Sequence, residues 1–80
     1  MNTSSDKFVN YYELLEIDPK AGPQEVKQAY LEQVKRWHPD KNPDRTLEAE
    51  EKTKVLNQAY HILADAERRK NYDRMLRLTR

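Results

Sequence analysis

Residues 23–46 read PQEVKQAYLEQVKRWHPDKNPDRT, and this stretch decides the fold. Its apolar positions Val26, Ala29, Tyr30, Val34 and Trp37 fall at offsets of 0, 3, 4, 8 and 11, the spacing of one face of a 3.6-residue helix. Pro23, just after Gly22, suits the first helical position, where its missing N–H costs nothing. Glu25 follows in the first turn, near the positive end of the helix dipole. Lys27, Lys35 and Arg36 lie off the apolar stripe and are expected to face water. The helix cannot run through Pro39, which lacks a donor and clashes with the preceding turn. From His38 to Arg45, two prolines, two aspartates and an asparagine predict an ordered, exposed loop. Thr46 is the expected N-cap of the next helix, with Glu48, Glu50 and Glu51 in its first turns. That helix buries Leu56, Ala59, Tyr60 and Leu63, flanked by Val55 and Ile62. A link of about eight residues favours antiparallel packing of the two helices, with the loop projecting from one end of the hairpin.

Outward from this hairpin the pattern stays helical. Tyr11, Tyr12, Leu14 and Leu15 form a short apolar helix that must close before Asp18-Pro19. Asp65 caps a fourth helix with Tyr72, Met75 and Leu76 on its apolar face and a basic set of Arg68, Arg69, Lys70, Arg74 and Arg77. The expected fold is all-α: four helices, the second and third forming a long antiparallel hairpin, the first and fourth short. The expected core is Tyr12, Leu15, Val26, Tyr30, Trp37, Leu56, Ala59, Tyr60, Leu63 and Tyr72. Residues 1–7 read as a flexible N-terminus and 8–78 as one folded domain.

Composition excludes several functions. With 80 residues the chain suffices for one small domain, and 36% hydrophobic against 36% charged residues fits a modest core. There is no cysteine, so disulfides, cysteine zinc sites and thiol chemistry are out. Gly22 is the only glycine, which rules out a Gly-rich phosphate loop. His38 and His61 stand far apart without cysteine partners, so no metal or cofactor is expected. No apolar run approaches the roughly 20 residues that span a bilayer. The polar start, Met1 to Asp6, is unlike a secretion signal, and a cytoplasmic location is expected. Net charge is +1, and residues 65–78 carry five basic and three acidic groups, a thin footprint for nucleic acid. Pairing of the fourth helix with the acidic start of the third is the more economical use of its cations.

Four blocks in order carry a resemblance: Tyr11-Tyr12-Glu13-Leu14-Leu15; Ala29-Tyr30 followed by Trp37-His38-Pro39-Asp40-Lys41-Asn42; Asn57 through Asp65; and Arg68-Arg69-Lys70-Asn71-Tyr72-Asp73. Together they resemble the J-domain family, co-chaperones of the DnaK-type seventy-kilodalton heat-shock ATPases, over about Tyr11 to Asp73. The resemblance implies that His38, Pro39 and Asp40 dock on the partner and promote its ATP hydrolysis, trapping a client polypeptide. It also implies partner contacts from Lys41 and Asn42, and from the second-helix cations Lys27, Lys35 and Arg36. Clients would be bound by regions outside this chain. The residues suit those roles: Pro39 fixes φ, His38 offers ring donors, and ionised Asp40 is an acceptor able to pair with an arginine.

The chain departs from the family pattern in places. Leu31 and Glu32 stand where basic residues are usual, Gln33 replaces a leucine, Thr53 a phenylalanine, and Glu16 the glycine that often ends the first helix. Gln33 and Thr53 are expected either to exchange a hydrogen bond or to leave the Gln33 amide in water. Leu31 is expected to be an exposed apolar residue. These departures leave room for another class of function, a J-like assembly domain without ATPase activation. A small helical nucleic-acid binder is less favoured by the charge, and an independent enzyme least, for want of a nucleophile, metal cluster or phosphate loop.

Overall fold

A computed structural model describes residues 10–79, with side chains described for 10–77; the predicted flexible stretch 1–7 lies outside them. Among the described residues the fold is all-α. Its helices are α1 (Tyr11–Leu15), α2 (Pro23–Trp37), α3 (Thr46–Leu63) and α4 (Ala66–Thr79), with two 3₁₀ turns, Pro39–Lys41 and Pro43–Arg45, between α2 and α3. At 14 residues α4 is nearly as long as α2, because it continues past Tyr72, its last fully packed residue.

Local chemistry sets each helix end. The Asn10 side chain opens α1 by accepting from the Tyr12 and Glu13 amides at 2.9 and 3.3 Å. α1 closes on Glu16 in the left-handed region, φ 61° and ψ 46°. The Glu16 and Ile17 amides donate to Glu13 and Tyr12 carbonyls, the paired bonds of a Schellman stop. Asp65 opens α4 by accepting from the Arg68 amide at 2.9 Å. The Glu25 carboxylate accepts from the Gly22 amide at 2.9 Å at the start of α2. One expected cap is corrected: Arg45, not Thr46, is the N-cap of α3 and makes no side-chain cap bond. Thr46 already has helical geometry, and its hydroxyl donates back to the Pro43 carbonyl at 3.1 Å.

The hairpin is antiparallel. Tyr30 stacks on Tyr60 with ring centroids 4.4 Å apart and donates its hydroxyl to Asn57, while Lys52 lies over Trp37. Residue numbers thus rise along α2 as they fall along α3. α1 packs against both helices, and Tyr12, Leu15, Ala21, Val26, Leu56, Leu63 and Tyr72 form one buried cluster. Each fully buried leucine contributes about 1.5–3 kcal/mol, so the core is adequate but small. Ala49 and Ala59 are also fully buried, small residues on the face of α3 that turns inward. Tyr30, Tyr60 and Trp37 sit at the core's edge and are only partly buried, each keeping a face or polar tip near the surface. Met75 is 54% exposed, because the groups that α4 turns to the core are Tyr72 and Leu76.

Gln33 is 5% exposed, and the Thr53 hydroxyl donates to its own helix at the Ala49 carbonyl, 2.8 Å away, rather than to Gln33. No buried side-chain nitrogen or oxygen among the described residues is stranded, so the Gln33 amide keeps its polar atoms in reach of water. Leu31 is exposed, as the sequence leads one to expect.

A polar clamp completes the packing. Arg69 on α4 donates from Nε to the Tyr12 hydroxyl at 3.1 Å and from Nη2 to the Pro19 and Ala21 carbonyls at 3.0 and 2.6 Å. The Tyr12 hydroxyl in turn donates to Asp73 at 2.5 Å. Beside it, Tyr72 stacks on Tyr11 and its hydroxyl accepts the Tyr11 amide at 2.8 Å. The expected pairing of α4 with the acidic start of α3 does not occur among the described residues. α4 follows the C-terminal end of α3, and the 18 residues of α3 put its first turn roughly 27 Å away.

Two outcomes follow. Glu16→Gly relieves a left-handed conformation worth about 1–2 kcal/mol and gives back about 0.4–1 kcal/mol of chain entropy in the unfolded state. The expected net gain is about 0.5–1 kcal/mol, read from the urea midpoint; the exposed Arg36–Glu16 pair lost with it contributes little. Burial raises the Tyr12 hydroxyl above its ordinary value of 10.0, helped by Asp73 and opposed by Arg69; burial likewise raises Tyr72. The folded state therefore holds these protons when the unfolded chain has begun to lose them. Their contribution is complete below pH 10.0 and is lost as pH rises through the folded values. Thermal melts should fall steeply above that pH, and Tyr72→Phe should flatten the fall.

Candidate functional site

The loop between α2 and α3 begins with a forced break. Trp37 ends α2, and His38 takes φ −61° and ψ 134°, the extended geometry required before proline. Pro39, Asp40 and Lys41 then make one 3₁₀ turn, closed by Lys41 and Asn42 amides donating to His38 and Pro39 carbonyls at 2.9 and 3.0 Å. A second turn follows from Pro43 to Arg45. α3 packs against both turns, so the loop is a built surface.

Within it His38 has a defined tautomer. Its Nδ1 accepts the Asp40 amide proton at 3.1 Å, which leaves the ring proton of the neutral imidazole on Nε2, the nitrogen pointing away from that bond. The Asp40 carboxylate lies 3.8 Å from the same Nδ1, and its side chain is 91% exposed against 53% for His38. The turn thus presents a ring donor and a carboxylate acceptor side by side, with Pro39 half-buried between them. Lys41 is exposed beside the pair.

Asn42 holds the turn from below. Its Nδ2 donates to the Arg36 carbonyl at 3.1 Å and the His38 carbonyl at 2.8 Å. The Arg36 carbonyl lies at the end of α2, where no further helical amide reaches it, and the His38 carbonyl accepts the Asn42 side-chain amide in addition to the Lys41 amide of the turn. The side chain is therefore turned toward the loop's own backbone. Trp37, with the Lys52 ammonium 5.1 Å from its ring centre, ties the foot of the loop to α3.

The predicted cations of α2 are all exposed but do not form one group. Lys27 and Lys35 stand eight residues apart along one ridge, with Leu31 midway. Arg36 points to the other flank, where Nη1 lies 3.4 Å from the Glu16 carboxylate. Among the described residues no group of three or more metal-ligating side chains occurs. No helix there is long and apolar enough to cross a membrane. Sequence reasoning missed the bracing role of Asn42 and the Arg69 clamp. An asparagine just before a proline, at the end of a helix, was the available signal for the former.

Comparison with known proteins bears on this loop and its frame. The chain matches the DnaJ domain over residues 10–73. It is 49% identical over 67 residues to human DnaJ homolog subfamily B member 8, covering 84% of this chain and 29% of that protein. It is 51% identical over 65 residues to the chaperone protein DnaJ of a Nitratiruptor species, covering 81% and 17%. Human DnaJ homolog subfamily B member 6 is 46% identical over 67 residues, covering 84% and 21%. The chain thus spans less than a third of the length of these relatives.

Asn42→Ala removes the partner of the Arg36 carbonyl and one of the two partners of the His38 carbonyl without touching the core. The expected cost is about 1–2 kcal/mol in urea unfolding, with faster amide hydrogen exchange at Lys41 and unchanged exchange in the centre of α3.

Proposed function

The chain belongs to the DnaJ domain family, and we propose that it is a co-chaperone module which docks on a DnaK-type seventy-kilodalton chaperone and accelerates its ATP hydrolysis. The observation that carries this reading is the turn at the closed end of the hairpin, where a braced backbone presents His38 and Asp40 outward around Pro39. Such a turn suits recognition of a charged, planar group. The carboxylate can accept a bidentate pair from an arginine while the Nε2 proton donates alongside it. Because Asn42 and Pro39 fix the backbone beforehand, little ordering entropy is lost on docking. Lys41, Lys27 and Lys35 add charge that steers an acidic surface toward the turn.

No chemistry is required of this chain. The ATPase reaction belongs to the partner, and the module acts by binding the hydrolysis-competent arrangement more tightly than the resting one. A difference of about 3 kcal/mol in that preference is worth a factor of about 150 in the partner's equilibrium. The proposal takes residues 8–78 as the working unit and a cytoplasmic setting beside the chaperone. Capture and choice of client polypeptides are assigned to segments outside this chain.

Single-turnover hydrolysis of ATP by a purified DnaK-type chaperone tests it. Adding the chain is expected to raise the rate well above basal, and His38→Gln or Asp40→Asn to return it to basal. Helical circular dichroism should stay intact in both, since the two side chains are exposed. Equal stimulation by the variants would remove the role of the turn. Binding without stimulation by the unsubstituted chain would favour a pure assembly domain instead.

A further inference from the structure

Three exposed side chains follow one another at i, i+4 spacing along α2: Lys27, Leu31 and Lys35. At 100° per residue they cover only about 80° of the helix surface and make one continuous ridge. The same count places position 38 within the arc of this ridge, so it runs toward the turn that carries His38. Val26 and Gln33, the buried residues of α2, lie on the far side of the helix. Arg36 is on the other flank, engaged with Glu16.

Leu31 is 51% exposed at the middle of this ridge. A single exposed leucine is ordinary on a protein surface, and Leu47 at 79% exposure is one such case. Leu31 differs in its surroundings: a lysine stands one turn above and one turn below, on the face that leads to the docking turn. An apolar centre between charged neighbours is the arrangement of an interface anchor, where the middle is dried on binding and the charges stay at the rim.

We propose that Leu31 is an apolar anchor of the docking ridge, seated on a nonpolar spot of the DnaK-type chaperone between acidic groups that meet Lys27 and Lys35. The claim rests on the docking function proposed above and adds to it a determinant of which chaperone is accepted. A partner surface uniformly acidic along this line would bury Leu31 against charge and be disfavoured. A surface with an apolar spot gains a contact that salt does not screen. Docking of this chain is therefore less sensitive to ionic strength than it would be with a third cation in the ridge.

The test is binding of the 80-residue chain to the ATP-loaded chaperone of its own cell at low and high salt, beside the single-turnover assay. Leu31→Ala is expected to weaken binding about fivefold at both salt levels, since roughly half of a leucine's burial is still to be gained. Saturating stimulation should stay unchanged. Leu31→Met should restore the affinity, and Leu31→Lys should make binding fall more steeply with salt. Alanine is the better helix former, so thermal melts should show the variant folded. Unchanged affinity in Leu31→Ala, with stimulation by the parent chain intact, would overturn the anchor alone. If the parent chain neither bound nor stimulated, the docking function would fall and the anchor with it.

Discussion

Pro39 has no amide hydrogen and a fixed φ, and the rest of the structure depends on that constraint. It stops α2 one residue early, at Trp37, and sends the chain out in an extended step before a tight turn. Two helices that would otherwise have merged are folded back on each other. The Arg36 carbonyl left over at the end of α2 is taken up by Asn42, which also reaches the His38 carbonyl, and the amide of Asp40 is taken up by His38. His38, proposed above for partner recognition, is thus also one of the two side chains that repair the break made by the proline, so the loop's rigidity and part of its chemistry have one origin.

A core of five large, fully buried side chains is little for four helices. The Arg69 guanidinium makes up the difference at the other end of the molecule. It joins α4, the α1 hydroxyl of Tyr12 and two backbone carbonyls of the connection between α1 and α2. Those carbonyls would otherwise be the weakest point of the fold, since that stretch is not helical. Asp73 closes the charge around the arginine through Tyr12, and the Tyr72 ring packs against Tyr11 and Tyr12 beside it.

The helices were legible in the sequence because their signals are local. The 3.6-residue spacing from Val26 to Trp37, the stops at Pro19 and Pro39, and the cap at Asp65 each need only a few neighbouring residues. The left-handed stop at Glu16 was foreshadowed by the glycine that the resembled family often has at that place. The clamp was not legible, since Arg69 meets partners 57, 50 and 48 residues away, and no local pattern encodes which of five clustered cations will turn inward. The same holds for Arg36, which periodicity places on the surface but only the tertiary fold places beside Glu16. Thr46 misled because threonine before an acidic run resembles a cap, whereas the second 3₁₀ turn delivers the chain already in helical geometry. The tyrosines of the hairpin seam read as core because their period is right; their rings do pack, yet their hydroxyls keep them at its edge. The triplet itself could be located from sequence, but not the direction of its ring proton, which follows from one backbone contact.

The turn and the arginine clamp stand at opposite ends of the hairpin, separated by nearly the full length of α3. Residues that far apart, with no shared partner, contribute independently to stability. Under the proposed docking function, substitutions in the turn can therefore accumulate and redirect partner choice with no compensation needed at the clamp. Changes at the clamp can equally retune thermal tolerance while the turn keeps its shape. Under the proposed function, divergence of chaperone pairing through the turn and adaptation to temperature through the clamp are separable evolutionary variables.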